Sequence, residues 1–181
     1  MDNLTPRVSM GIERIAVLGA GQMGNGIAQV AACAGYKVVM IDIKQDYLDK
    51  GLAAIENSLS RVVKKERMTQ QDADAAISLI STSTEKTSAS DADLVVEAIP
   101  EIPELKFSTF SELDSICKPE AILASNTSSI SINAIADATK RPDRVIGMHF
   151  MNPVPVMKLV EIINGKDRKS TRLNSSHSSV S

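Results

Sequence analysis

Short apolar runs alternate with longer segments of helical spacing along most of the chain. The runs are rich in β-branched and aliphatic residues, which favours buried strands, whereas apolar residues three or four positions apart indicate helices. Strands are predicted at 14–18, 37–41, 80–82, 94–99, 121–124 and 144–150, and helices at 23–34, 47–66 and 104–116. Short helices are also predicted after the caps Thr69 and Ser131. The pattern predicts a doubly wound (Rossmann-like) α/β domain with a mostly parallel sheet.

A glycine-rich turn joins the first predicted strand to the first helix. Its residues are the candidate cofactor loop: Gly19, Ala20, Gly21, Gln22, Met23 and Gly24. In this pattern the glycines allow a tight turn, close approach to a pyrophosphate, and close packing of helix on strand. Asp42 ends the second strand about 20 residues later, where a carboxylate binds a ribose 2′-hydroxyl and repels a 2′-phosphate. We therefore predict NAD as the cofactor. The alternative is a turn needed only for packing, with Asp42 as a helix cap.

Composition narrows the class of protein. A chain of 181 residues is long enough for one well-buried domain, and a net charge of −2 gives no support for nucleic-acid binding. No apolar run approaches the roughly 20 residues that span a bilayer, and residues 1–11 do not resemble a secretory signal. Cys33 and Cys117 have neither a CxxC partner nor a histidine cluster, so we predict reduced thiols, no metal site and a cytoplasmic location.

The composition changes abruptly after Gly165. Residues 166–181 are rich in serine and poor in apolar side chains, so we expect this segment to be disordered. It also resembles the read-through of a cloning adaptor, which would make it a non-native tail. The predicted NAD-binding domain is accordingly 12–165.

Polar residues follow several predicted strands, at the edge of the sheet where ligands of such folds bind. They include residues 97–101, residues 125–129 and His149. Glu161 lies twelve residues after His149 in an apolar run, where a carboxylate is costly without a partner. A returning strand would bring it beside the imidazole and create a general base. There are two alternatives. The His149–Glu161 pair could be purely structural, with each side chain satisfying the other's hydrogen bond, or Glu161 could lie on an exposed strand face.

Three motifs together resemble the L-3-hydroxyacyl-CoA dehydrogenases, especially the short bacterial 3-hydroxybutyryl-CoA dehydrogenases. They are the glycine loop, the segment Ser125-Asn126-Thr127-Ser128-Ser129, and the block from His149 to Glu161 that includes Asn152-Pro153. The sequence Val95-Val96-Glu97-Ala98 adds to the likeness. The resemblance covers about residues 12–165 and implies NAD-dependent interconversion of 3-hydroxyacyl-CoA and 3-ketoacyl-CoA.

The resemblance also implies roles for individual residues. His149 would be the general base, Glu161 its supporting carboxylate, and Ser128 the contact to the substrate oxygen and the nicotinamide. Further implied contacts to the cofactor are Glu101, Lys106 and Asn152. Ser58 and Lys65 would bind the coenzyme A moiety together with Ser128, and the basic surroundings of Lys65 suit its phosphates, although they also suit a solvated helix face.

Two departures from the family pattern bear on these expectations. Pro103 precedes the helix that carries Lys106, which is tolerated in a first turn but bears on the Glu101–Lys106 geometry. The resemblance also implies a further helical domain, which forms a homodimer in family members and which we expect this chain to lack. The activity of the chain alone therefore stays open. Two alternatives are an inert NAD-binding module and a sugar-acid dehydrogenase of the L-gulonate type.

Overall fold

A seven-stranded sheet runs through residues 11–165, which are the residues that the computed structural model describes. The strands are β1 (Arg14–Leu18), β2 (Lys37–Ile41), β3 (Ile80–Ser83), β4 (Leu94–Glu97), β5 (Ile122–Ser125), β6 (Val145–Phe150) and β7 (Val160–Asn164). Their order is β3-β2-β1-β4-β5-β6-β7; the first six are parallel, and β7 is antiparallel to β6. The predicted doubly wound α/β fold is confirmed.

Helices cover both faces of the sheet. They are α1 (Gln22–Cys33), α2 (Gln45–Lys64), α3 (Gln70–Ser78), α4 (Pro103–Ile116) and α5 (Ile132–Ala136), with single 3-10 turns at Lys86–Ala89 and Pro142–Arg144. Successive residues of a strand face opposite sides, so β1 contributes Ile15 and Val17 to one apolar core and Ala16 and Leu18 to the other. The sheet is thus buried on both sides, as its continuous apolar strands require.

The caps expected from the sequence are present. Thr69 Oγ1 accepts a hydrogen bond from the Asp72 amide at 3.1 Å, and Ser131 Oγ accepts one from the Ala134 amide at 3.5 Å. Pro103 is the first residue of α4, where the missing N–H costs no helical hydrogen bond. Both 3-10 turns were absent from the sequence-based prediction.

The strand predicted over 94–99 is shorter than expected, because β4 ends at Glu97. The Ala98 amide still follows the pairing with β1, but the Ile99 amide bonds a side chain and so ends the strand. The Ala98 amide donates to the Leu18 carbonyl at 2.8 Å, and the Ile99 amide donates to the Glu97 side chain at the same distance.

Some expectations concern residues 1–10 and 166–181, which lie outside the described part of the chain. The predicted disorder and non-native origin of 166–181 belong to this group. Within residues 11–165, no helix has the length and apolar character needed to cross a membrane. The same residues contain no cluster of three histidine, cysteine, aspartate or glutamate side chains arranged to hold a metal ion.

Asp93 joins three segments at the amino-terminal edge of the sheet. Its carboxylate accepts the amides of Glu13 and Arg14 at 2.7 and 2.8 Å and forms an ion pair with Lys118. Burial opposes ionisation, but the hydrogen bonds from Lys118 and the two amides outweigh it and lower the pKa of Asp93 to about 2.

Replacing Asp93 by Asn is expected to lower the free energy of unfolding at pH 7 by on the order of 2 kcal/mol. Because the folded pKa lies below the unfolded value, this contribution is complete above about pH 4 and is lost as the pH falls towards 2. Urea unfolding at pH 7 and pH 2.5 measures it. Asp91→Asn is the matched control, since Asp91 pairs with Arg14 while 60% exposed and should contribute little. Equal losses for Asp93→Asn at both pH values would contradict the assignment.

Candidate active site

A cleft of about 330 Å³ opens at the carboxyl ends of β4, β5 and β6, beside the start of α1. Open α/β sheets bind ligands at this edge, next to the point where the strand order reverses, which here lies between β1 and β4. The cleft is lined by Met23, Ala98, Ile99, Glu101, Asn126, Ser128, His149, Phe150, Met151 and Asn152. Five residues predicted from the sequence to form the site therefore share one cleft.

The glycine loop forms one wall of the site, and its glycines are needed for two different reasons. Gly19 has a positive φ of 98°, and a Cβ there would lie 2.6 Å from the Ala98 carbonyl oxygen. A Cβ on Gly24 would lie 1.8 Å from the Gly19 carbonyl oxygen, so α1 packs directly on the loop. Gly21 differs, since a Cβ there would meet nothing within 4 Å. Gly19 and Gly24 are therefore needed for close packing of the backbone, whereas the missing side chain of Gly21 leaves open space beside the loop.

That space could hold the pyrophosphate of a dinucleotide. Gly21 is the N-cap of α1 and supplies no side-chain cap, so the first amides of the helix and its positive dipole end are available to an anion. Asp42 Oδ2 accepts the Ala20 amide at 2.7 Å, and Oδ1 accepts the Ile43 amide at 2.7 Å. Asp42 therefore braces the loop while standing at the end of β2, where a ribose would lie.

His149 and Glu161 are direct partners across the antiparallel β6–β7 ladder. His149 Nδ1 and Glu161 Oε2 are 3.0 Å apart, which fixes one ring nitrogen and leaves Nε2 for other contacts. The Glu161 side chain is 51% exposed, because β7 has only β6 as a neighbour in the described sheet. Glu161 therefore lies on an exposed strand face, as one alternative had it, and it also makes the predicted pairing with His149.

Glu101 anchors the loop that carries Ser128. Its Oε1 accepts the hydroxyl of Thr127, the amides of Ser128 and Ser129 at 3.2 and 3.3 Å, and the Ser129 hydroxyl at 3.0 Å. Partial burial opposes ionisation, but the hydrogen bonds from Thr127 and Lys106 outweigh it and lower the pKa of Glu101 to about 2. A carboxylate thus lies under the Ser128 backbone at neutral pH.

Lys106 and Glu97 form a fully buried ion pair next to Glu101. The Lys106 ammonium lies 2.6 Å from Glu97 Oε1 and 3.2 Å from Glu101 Oε2, and the Lys106 side chain is 1% exposed. Ser125 Oγ donates to Glu97 Oε2 at 2.6 Å. No role had been predicted for Glu97; the signal for one was a carboxylate at the end of an apolar strand, which is costly unless it is paired.

Asn126 and Asn152 connect neighbouring elements around the cleft. Asn126 Oδ1 accepts the Phe150 amide at 2.8 Å and so ties β5 to the residue after His149; this contact was also missed. Asn152 Oδ1 accepts the side-chain amide of Gln22 at 3.2 Å, which brings the expected nicotinamide-side residue to the glycine loop. Both contacts hold the end of β6 against the rest of the site.

Two of the three residues expected to bind coenzyme A lie away from this cleft. Ser58 is half-buried on α2, and Lys65 is exposed just beyond the end of that helix. Neither lines the cleft that contains Ser128 and His149. Their role stays a prediction.

Comparison with known proteins agrees with the fold. Residues 14–179 match the family model described as "3-hydroxyacyl-CoA dehydrogenase, NAD binding domain". A 3-hydroxybutyryl-CoA dehydrogenase of Bradyrhizobium diazoefficiens is 51% identical over 154 residues, which cover 85% of this chain and 53% of that protein. The human mitochondrial hydroxyacyl-coenzyme A dehydrogenase is 46% identical over 158 residues, covering 84% of this chain and 50% of the human protein.

The chain also resembles a solved structure of a 3-hydroxybutyryl-CoA dehydrogenase. The (S)-3-hydroxybutyryl-CoA dehydrogenase of Ralstonia eutropha matches with a TM-score of 0.84 and 47% identity, over 86% of this chain and 55% of that one. The chain spans about half the length of the curated relatives it matches. Its cofactor is NAD, and the chain belongs to the 3-hydroxyacyl-CoA dehydrogenase family, in which it corresponds to the NAD-binding domain.

Proposed function

We propose that the protein interconverts (S)-3-hydroxyacyl-CoA and 3-ketoacyl-CoA, with 3-hydroxybutyryl-CoA as the substrate. The observation that carries the proposal is the 3.0 Å contact between Glu161 and Nδ1 of His149, a residue that lines the same cleft as Ser128, beside the glycine loop. A general base, a hydroxyl donor and a dinucleotide site are the groups that this reaction needs. The names of the matched relatives support the same substrate class.

In the proposed reaction one proton moves between the 3-hydroxyl group of the substrate and His149. NAD⁺, when bound, would supply the acceptor for the hydride that leaves substrate C3. His149 Nε2 takes the proton of the 3-hydroxyl group as the carbonyl forms, and it returns that proton in the reverse direction. Glu161 holds the ring through Nδ1 and stabilises the imidazolium that results.

Ser128 would hold the substrate oxygen in place. A hydroxyl that donates to this oxygen stabilises the negative charge that develops on it during reduction. Ser128 is exposed at the cleft, and its backbone is held by Glu101, so the hydroxyl is available to a ligand. Glu101 and Asn152 would then stand on the nicotinamide side.

The coenzyme A moiety would lie along α2. Ser58 and Lys65 carry this part of the proposal, and Lys65 is flanked by the exposed cations Lys64 and Arg67. Basic side chains attract the phosphates of coenzyme A.

We further infer a cytoplasmic location, and we expect family members that carry the helical domain to form homodimers. The free thiols of Cys33 and Cys117 suit a reducing compartment. Exposed apolar side chains on and before β7, such as Val156 at 71% and Ile163 at 42%, form a surface that a further region of a longer chain would cover.

NADH oxidation with acetoacetyl-CoA tests the proposed reaction. With enzyme in excess over NADH, we expect a single turnover that depends on acetoacetyl-CoA. Incubation with L-gulonate and NAD⁺ tests the sugar-acid alternative. We expect no NADH to form in this assay. NADH binding without turnover of either substrate would contradict the proposal for this chain and favour an NAD-binding module.

A further inference from the structure

β6 extends further than its neighbour β5 at the edge of the sheet where the cleft opens. The last pair between the two strands is Ser125 with Gly147, whereas β6 continues to Phe150. His149 therefore belongs to a segment, residues 148–150, that pairs with no β5 residue within the described sheet and is here called the β6 end. On its other side the β6 end pairs with β7, which is itself the last strand of the described sheet. Its position therefore depends on contacts from outside the strand ladder.

The side chain of Asn126 supplies such a contact. Its Oδ1 accepts the amide of Phe150 at 2.8 Å, in the place that a backbone carbonyl would take if β5 continued. The Asn126 amide donates to the Glu97 carbonyl, also at 2.8 Å, so the backbone of Asn126 is still fixed to β4. Asn126 thus connects the centre of the sheet to the β6 end.

Asn126 also lies between the two proposed reacting groups. It precedes Ser128 by two residues in the chain, and its side chain bonds the residue next to His149. Asn126 is half-buried and lines the same cleft as Ser128 and His149. One hydrogen bond therefore links the turn that carries the hydroxyl donor to the strand that carries the general base.

We propose that Asn126 is a positioning residue that fixes His149 relative to Ser128. The proposal rests on the proposed function, because that function makes these two residues the contacts to the substrate oxygen. A displacement of about 1 Å in a reacting group costs about 10²-fold in rate, so a contact that sets this distance matters for the reaction. Glu161 orients the ring of His149 through Nδ1, whereas Asn126 holds the backbone that carries the ring.

Two variants separate the acceptor of Asn126 from its donor. Asn126→Ala removes the oxygen and the NH₂ group, whereas Asn126→Asp removes the NH₂ group and keeps an oxygen that accepts the Phe150 amide. Thr69→Val is the matched control, since it also removes a side-chain oxygen that accepts a backbone amide, and Thr69 does not line the cleft. Asn126→Ser, whose oxygen lies one bond nearer the backbone, replaces Asn126→Ala if alanine prevents folding.

Amide hydrogen exchange measured by NMR follows the β6 end without any dehydrogenase assay. In Asn126→Ala we expect the Phe150 amide to exchange at least tenfold faster and the His149 amide at least threefold faster, while the Val17 amide in β1 keeps its wild-type rate. Asn126→Asp and Thr69→Val should keep the Phe150 and His149 rates within twofold of wild type. Faster exchange at Phe150 alone, or unchanged exchange at both amides, would overturn the proposal.

Single-turnover reduction of acetoacetyl-CoA at saturating NADH then connects the β6 end to the reaction. We expect Asn126→Ala to lower the rate constant at least tenfold, Asn126→Asp to stay at least fivefold faster than Asn126→Ala, and Thr69→Val to match wild type. Equal losses in the two Asn126 variants would assign the effect to the NH₂ group and overturn the proposal, as would a wild-type rate constant in Asn126→Ala. Absence of turnover in the wild-type chain would instead refute the proposed function, and the exchange result would still decide the positioning of the β6 end.

Discussion

Replacing His149 by Gln is expected to reduce acetoacetyl-CoA-dependent NADH oxidation by about 10²- to 10⁴-fold, the contribution typical of a general acid or base. Glutamine keeps a polar side chain of similar reach but cannot take up a proton at neutral pH. NADH binding should stay within twofold of wild type, since His149 lies at the end of β6 and the glycine loop lies between β1 and α1. Single-turnover absorbance at 340 nm and NADH fluorescence measure the two quantities.

Glu161→Gln provides the graded comparison. This variant should lose less of the NADH-oxidation rate than His149→Gln does, because an amide still accepts a hydrogen bond from Nδ1 but does not stabilise the imidazolium. A His149→Gln variant with wild-type turnover would remove His149 from the mechanism. Equal losses of turnover and NADH affinity would assign His149 to cofactor binding.

Replacing Gly21 by Ala is expected to weaken NADH binding by about 100-fold, which corresponds to about 2.7 kcal/mol. The new methyl group would occupy the space through which the pyrophosphate approaches the start of α1. The fold should tolerate it, because the Gly21 φ of −64° suits any residue and a Cβ meets nothing within 4 Å. Reducing the freedom of the unfolded chain should even raise the free energy of unfolding by a few tenths of a kcal/mol.

Gly24→Ala is the comparison that shows the two uses of glycine in this loop. A Cβ there would lie 1.8 Å from the Gly19 carbonyl oxygen, so the helix or the loop has to move. We expect a loss of stability of about 1–3 kcal/mol or more. Thermal unfolding and NADH titration of both variants measure the difference. Wild-type NADH affinity in Gly21→Ala would contradict the placement of the pyrophosphate.

The fold was largely predictable because each strand is an apolar run bounded by a turn or helix signal. β1 and β2 have the predicted bounds, since burial on both faces makes such strands continuously apolar. α2 begins and ends two residues earlier than predicted, because apolar spacing locates the buried face of a helix and not its ends. The 3-10 turn at Lys86–Ala89 has no apolar pattern that would have revealed it.

The pairing of His149 with Glu161 was predictable only as one option. The sequence shows two polar residues in neighbouring apolar runs, but the register of an antiparallel pair depends on the turn between the strands. Here the turn places the two residues directly opposite each other. The exposure of Glu161 followed from the position of β7 beside β6 alone, which no local pattern indicates.

The contacts of Lys106 were not predictable from the residues. Lysine is rarely fully buried, so its position in an amphipathic helix indicates exposure. Its partners Glu97 and Glu101 come from the end of β4 and the segment after it, and only the packing of α4 against that edge of the sheet brings them together. The family resemblance could assign a role to Lys106, but its hydrogen-bonded partners are known only from the structure.

The most direct test of the central claim is a fluorescence titration of the chain with NADH and, separately, with NADPH. The structure and the family predict saturable binding of NADH at one site, and weaker binding of NADPH because Asp42 stands where the 2′-phosphate would lie. In the same titration, the Gly21→Ala variant should lose the NADH signal. A folded chain that binds neither nucleotide, or that prefers NADPH, would contradict the account.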